Sequence, residues 1–299
     1  MSLLNRPSDG IYPVLIAIFQ LVLARKNLNR EQLLKLCAPE EACSQDHANT
    51  TLNTWLSLGL FDTKPDGTVV IHADILGAER KAEHLPRVAR RLVLDPKNNA
   101  DLWAKEEARS ADFTLALSWF LAQDAWMTEI GGWTDAQEIF RHQLPPDRVV
   151  FQNDTRWPSF KEWASYLGFA WSPRMSRGAT PDPTEAVRDA LPAVFGKHKT
   201  LPAKDFIRRL AEDLPVIDGG DYRRQIEAVL LLREDEYSWR ALPEGRLSTS
   251  LSRALLRLQE EGLLRQSLKA DSPHNHRVAL TGRSGAQILS DVSEFSYHP

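Results

Sequence analysis

The side chains that could do chemistry gather toward the C-terminal end of the chain. Arg246, Arg253 and Arg257 lie on or just before one helical pattern, Arg253 and Arg257 four residues apart and so on one face. Arg265, Lys269, His274, His276 and Arg277 follow closely. Cations at this density neutralise phosphate, the step that supplies most sequence-independent affinity for nucleic acid, so these residues form the candidate nucleic-acid-binding set. A second set near the N-terminus, Gln45, Asn49, Asn53 and Thr54, offers amides and a hydroxyl at helical spacing with no Lys or Arg among them. Amides can discriminate bases, but without cations they hold a duplex poorly, so this set is expected to contact a protein partner instead.

No catalytic signature accompanies these residues. The chain has no Gly-x4-Gly-Lys-Ser/Thr phosphate loop, no Gly-x-Gly-x-x-Gly turn, no His-Glu-x-x-His helix, no Gly-x-Ser-x-Gly elbow and no paired Cys-x-x-Cys. His274 and His276 could share a metal, yet no third ligand is evident, and a polar loop tip is the better reading. Cys37 and Cys43, with His47 nearby, fall short of a structural zinc set and read as ordinary reduced cysteines. Asp235 and Glu236 are adjacent on a polar segment, where solvated carboxylates are commoner than an acid/base pair. The expectation is a non-catalytic protein without a cofactor or metal.

The elements that must position the two sets share one pattern. Leu251, Leu255 and Leu258 fall on one helical face, Ser248 can cap the start, and Gly262 can end the helix in the left-handed conformation. Leu263–Leu268 and Arg277–Leu280 then read as two strands joined by a polar loop containing Pro273. Near the other end, Leu52, Trp55 and Leu58 repeat the helical spacing, followed by Gly59-Leu60-Phe61, a turn at Pro65-Asp66-Gly67 and the strand-like Thr68–Ile71. Helix, glycine, hairpin is the pattern of a winged helix-turn-helix, in which the helix can enter a major groove and the wing can lie on the backbone.

Between these ends the chain reads as helical. Pro13 to Arg25 and Glu31 to Leu36, the latter capped by Asn29, precede the third helix from about Gln45. Ala73 to about Leu94 looks helical and basic, with Arg80, Lys81, Arg87, Arg90 and Arg91, a run most simply read as a solvated face. Residues 101–195 hold seven of the nine tryptophans, whose spacing favours a helical core over a base-stacking platform. Glu185–Phe195, Lys204–Leu214 and Tyr222–Leu232 are expected as further helices. The predicted fold is mostly α, with winged helix-turn-helix modules and small β-wings at both ends and a Trp-rich helical middle domain. Its predicted divisions are 1–74, a basic connector 75–98, 99–198 and 199–299.

Composition narrows the function classes. A chain of 299 residues, 42% hydrophobic and 26% charged, with net charge −3, is a folded protein of two or three domains that cannot coat nucleic acid by bulk charge. Any such contact must be local. Met1–Asn5 has no basic leader and Ile11–Leu23 is too short for a membrane span, so a cytoplasmic protein with no membrane partner is expected.

The opening Met1-Ser-Leu-Leu-Asn-Arg-Pro-Ser-Asp-Gly10, the run Val14–Ile18, and Trp55-Leu-Ser-Leu-Gly-Leu-Phe61 resemble the DpdG family. That resemblance implies a place in bacterial clusters that insert 7-deazaguanine derivatives into DNA and restrict unmodified DNA. Helicase-type ATPases and a nuclease encoded nearby are the implied partners, and the family carries over no catalytic residue. The expected function is a non-catalytic DNA-binding or adaptor subunit acting on double-stranded DNA. The alternative is a winged-helix transcriptional regulator that binds an operator as a homodimer.

Overall fold

A computed structural model describes residues 3–4, 12–25, 27–39, 45–103, 109–126, 130–173, 176–233, 239–273, 276–283 and 287–299. In chain order its first elements are α1 (Tyr12–Ala24), α2 (Arg30–Cys37), α3 (Asp46–Leu58), β1 (Phe61–Thr63), β2 (Val69–Ile71), α4 (Leu85–Leu94) and α5 (Ala111–Leu121). There follow α6 (Trp133–Gln143), α7 (Arg156–Tyr166), β3 (Ala170–Trp171), β4 (Thr180–Pro181), α8 (Thr184–Phe195), β5 (Thr200–Pro202), α9 (Ala203–Asp213) and α10 (Asp221–Leu230). The last are α11 (Thr249–Glu260), β6 (Leu264–Ser267), β7 (Val278–Thr281), β8 (Ile288–Val292) and β9 (Glu294–Tyr297). The chain is mostly α with small antiparallel sheets. It divides into two compact units, residues 1–114 with 153–167, and residues 115–152 with 168–299. Residues 99–198 therefore contribute to both.

In the first unit, α2 begins in a reciprocal cap: Asn29 Oδ1 accepts from the Gln32 amide at 2.9 Å while Gln32 Oε1 accepts from the Asn29 amide at 3.1 Å. Helix α3 stops at Gly59, whose φ of 88° suits glycine, and the chain turns directly into β1. Strands β1 and β2 pair antiparallel with Phe61 opposite Ile71, and the Val69 amide donates to the Leu28 carbonyl at 2.9 Å, fastening the hairpin to the α1–α2 connection. Leu15, Ile18, Phe19, Leu33, Leu52, Trp55 and Leu58 are fully buried between these elements. The Trp55 ring lies 5.4 Å from that of Trp163 on α7.

Residues 73–94 are not one helix. Turns at Gly77–Glu79 and Ala82–His84 precede α4, because Pro86 suits only the first turn of a helix. The basic run is also less solvated than its composition implies. Arg90 is buried, its Nε donating to the Leu167 carbonyl at 2.8 Å, and Arg91 makes a two-pronged pair with Glu79 at 2.7 and 2.8 Å.

In the second unit, the strands pair differently from the sequence expectation. Leu264–Ser267 does not pair with the strand that begins near Arg277. It pairs with β9, which also takes β5 on its other edge, giving the order β5-β9-β6, while β7 pairs with β8. Aromatic packing explains the choice. Phe295 of β9 is fully buried 4.4 Å from Phe206 of α9, and Tyr297 stacks 5.3 Å from Phe195 of α8. Strand β7 is instead held beside the approach to α11, where Leu247 and Ala279 exchange backbone bonds with their neighbours: Leu247 N to Ala279 O at 2.9 Å and Ala279 N to Gly245 O at 2.8 Å.

The tryptophans are mainly core, as their helical spacing favoured. Trp119 is fully buried, donates from Nε1 to Gln143 Oε1 at 2.9 Å and meets Phe140 and Phe151 edge-on. Trp126 and Trp171 depart from this pattern, at 46% and 50% exposed. Among the described residues, no helix is long and apolar enough to cross a membrane.

Candidate nucleic-acid interface

Helix α11 is built as the sequence implies, and then committed to its own unit. Ser248 caps it, its Oγ accepting from the Leu251 amide at 3.3 Å. The Asp218 carboxylate accepts from both the Ser248 amide and its hydroxyl, each at 2.6 Å. Every polar residue of the first turn then finds a partner inside: Thr249 Oγ1 accepts from the Ala125 amide at 2.9 Å, Ser250 Oγ donates to the Leu121 carbonyl at 2.7 Å, and Ser252 Oγ accepts from the Thr281 amide at 2.9 Å. Ser248, Thr249, Ser250, Leu251 and Ser252 are all buried. A helix that reads bases does so with residues near its N-terminus, and here those residues face protein.

The two arginines of this helix lie against the same body. Arg253 donates to the Ala125 carbonyl at 3.2 Å, and its guanidinium carbon sits 5.6 Å from the centre of the Trp126 ring. One turn on, Arg257 pairs with Asp182, a carboxylate only 5% exposed that also accepts from the Thr184 amide at 3.2 Å and its hydroxyl at 2.5 Å. The remaining cations of the set lie on the strands and loops. Arg265 is exposed on β6 opposite Ser296 of β9. Lys269 pairs with Glu294 at 2.5 Å, which raises its pKa above the ordinary lysine value through that hydrogen bond and charge. Arg277 donates from Nε to the Ser272 carbonyl at 2.9 Å and closes the loop before β7. His276 is exposed, and Arg246 is half-buried where it bridges to Ala279. His274 lies outside the described residues.

The N-terminal set is held by a cation that sequence spacing on α3 could not reveal. Arg30, the first residue of α2, donates from one terminal nitrogen to both Asn49 Oδ1 and Asn53 Oδ1. The two amides are thus oriented with their NH2 groups free of that bond. Thr54 does not join them. It is 1% exposed, because it shares the core-facing side of α3 with Thr51, Trp55 and Leu58. Gln45, just before α3, is half-buried with its side-chain nitrogen enclosed and without a partner.

Sequence reasoning missed Arg30, Trp126 and Trp171. No local signal points to Arg30, which reaches the α3 amides from the start of a different helix. For the tryptophans no local signal separates exposed from buried.

Fold and site together describe a mostly helical protein of two units whose cations are placed on strands, loops and a half-buried helix. The chain belongs to the DpdG-like family, which it matches over residues 1–272. No curated protein and no solved structure matches it.

Proposed function

We propose that this protein is a non-catalytic, DNA-contacting adaptor in a bacterial system that modifies its own DNA and restricts DNA lacking the modification, and that both ends of the chain are winged-helix modules. Family membership supplies the context. The observation that supports the module assignment is the sheet order β5-β9-β6 with α8, α9 and α11 arranged around it, since helix α8, strand β5, helices α9 and α11 and strands β6 and β9 follow the winged-helix order, with α10 added between the helices and the β7–β8 pair between the strands. In the first unit, α1, α2 and α3 are followed by the β1–β2 hairpin, with the single bridge between Asn29 and Thr68 in the place of the first strand.

Duplex contact is assigned to the strand-and-loop side of the second unit, where Arg265, Lys269, His276 and Arg277 would lie along phosphates. Its α11 is buried at the end that would have to read bases, which favours backbone contact over base recognition. The Arg30, Asn49 and Asn53 face of the first unit is assigned to a protein of the same system, such as a helicase-type ATPase or nuclease, or to a second copy of this chain. Titration against two unrelated duplexes tests the reading. Affinities within about threefold of each other are expected, whereas a preference on the order of 10³ for one sequence would establish an operator-binding regulator instead.

A further inference from the structure

We infer that the outer face of the three-stranded sheet β5-β9-β6 is a phosphodiester-binding surface for duplex DNA, on which the hydroxyls of Thr200 and Ser296 act beside Arg265. The inference rests on the duplex-contacting reading and adds to it a pair of neutral donors that charge alone does not mark.

Strand register brings the three residues together. Thr200 of β5 stands opposite Ser296 of β9, and Arg265 of β6 stands opposite the same Ser296 from the other edge. Residues directly opposite share a face of the sheet, so the three form one row across strands about 4.8 Å apart. That face is the outer one. Leu201, Phe295 and Leu264, each one residue along its strand, are 3%, 0% and 1% exposed, whereas Thr200 and Arg265 are exposed and Ser296 is half-buried. Thr200 Oγ1 lies 3.0 Å from Ser296 Oγ, which places both hydroxyls on the same side. Whichever of the two donates within that bond, the other keeps its proton for an acceptor outside.

The chemistry of the face selects its occupant. Glu294, the acid that β9 turns the same way, is matched by Lys269 at 2.5 Å, so Arg265 sets the sign of the row. Lys197, His198 and Lys199 are exposed where the chain enters β5. His298 is exposed two residues past Ser296, its amide donating to the Leu263 carbonyl at 2.9 Å and so continuing the ladder. Hydroxyl and guanidinium donors in a positive field suit phosphodiester oxygens, which only accept. A single strand is held chiefly by aromatic rings on which its bases stack, but both rings of β9 turn inward, Phe295 onto Phe206 and Tyr297 onto Phe195. A protein interface centres on large aromatic anchors, and this row offers hydroxyls in their place. The backbone of a duplex is the occupant that fits.

The test uses the full chain and a fluorescein-labelled blunt duplex, titrated over a range of salt concentrations. The double variant Thr200→Val with Ser296→Ala keeps the size and strand preference of both residues and should fold, as circular dichroism would check. Its duplex affinity should fall by about tenfold, because hydrogen bonds to a charged group are lost. The slope of log affinity against log salt should stay at the wild-type value, because neutral hydroxyls release no counterions. Arg265→Ala should instead lower the slope by about 0.9, and Thr200→Ser, which keeps the hydroxyl, should bind as wild type does. A folded double variant with unchanged affinity would overturn the inference while leaving the duplex reading in place if Arg265→Ala still lowers the slope. A loss of affinity accompanied by a smaller slope would trace the defect to a displaced cation and equally overturn it, as would a double variant that binds duplex normally and loses only a protein partner. A wild type that binds no duplex would defeat the DNA-contacting reading itself, and the inference with it.

Discussion

Replacing Arg257 by Ala removes the cation from Asp182, and the structure sets how much that should matter. The Asp182 carboxylate is 5% exposed, so water cannot replace the lost partner on its buried side, while the Arg257 side chain is 38% exposed and part of the pair is screened. Breaking a fully buried pair by removing one partner costs about 3–5 kcal/mol and an exposed pair is worth under about 1 kcal/mol. Two bonds from Thr184 remain to Asp182, which places this intermediate pair at about 2 kcal/mol. Urea unfolding followed by tryptophan emission would read it as a lower midpoint with unchanged slope, and thermal unfolding as a loss of about 4–8 °C in the transition of the second unit. Adding Asp182→Asn to Arg257→Ala should restore part of the loss, because a neutral amide no longer requires a cation. Stability of Arg257→Ala equal to wild type, or losses that simply add in the double variant, would refute the pair as a structural contact. The same result decides how a DNA-binding defect in Arg257→Ala is to be read.

Three further outcomes follow from individual contacts. Gly220→Ala should destabilise the second unit by about 1–3 kcal/mol or more, since an added Cβ would stand 2.3 Å from the Pro215 carbonyl oxygen, a backbone obstacle that cannot swing away; a midpoint shift near zero in urea would contradict this. Glu227→Ala should cost about 2–4 kcal/mol, because Arg223 is 1% exposed, donates from Nε to Glu227 at 2.6 Å, and would be left with a buried uncompensated charge; calorimetry of the variant checks it. In a Cys43→Ser background, Cys37 should resist alkylation at pH 8 and react steeply only above about pH 10, because burial pushes its thiol up to about 11. Rapid labelling at pH 8 would show the thiol to be accessible and ionised.

Local pattern made the helices legible wherever caps and apolar spacing agreed. Asn29 and Ser248 both cap as their positions imply, and α3, α8, α9 and α11 lie within a residue or two of expectation. What local pattern does not carry is pairing between distant segments. Strand β9 alternates Glu-Phe-Ser-Tyr over four residues, yet its partners β5 and β6 are set by where Phe195 and Phe206 place a hydrophobic surface. Helix α6 went unread because only Ala136 and Phe140 of its residues are buried, too sparse a stripe to register. The same limit applies to the site. Spacing correctly puts Arg253 and Arg257 on one face of α11, but which way that face turns depends on α8 and the chain around Ala125 and Trp126. Arg30 was invisible for a related reason, since a cation from one helix completed an amide row on another.

Duplex contact in the proposed function rests on the strand-and-loop cations of the second unit. The most direct measurement is the slope of log affinity against log salt for the full chain and for a variant carrying Arg265→Ala and Arg277→Ala. Measurable duplex binding is expected, with a slope that falls by about 0.9 for each phosphate contact removed and affinity lost evenly across unrelated sequences. An unchanged slope and affinity in the folded variant would contradict it.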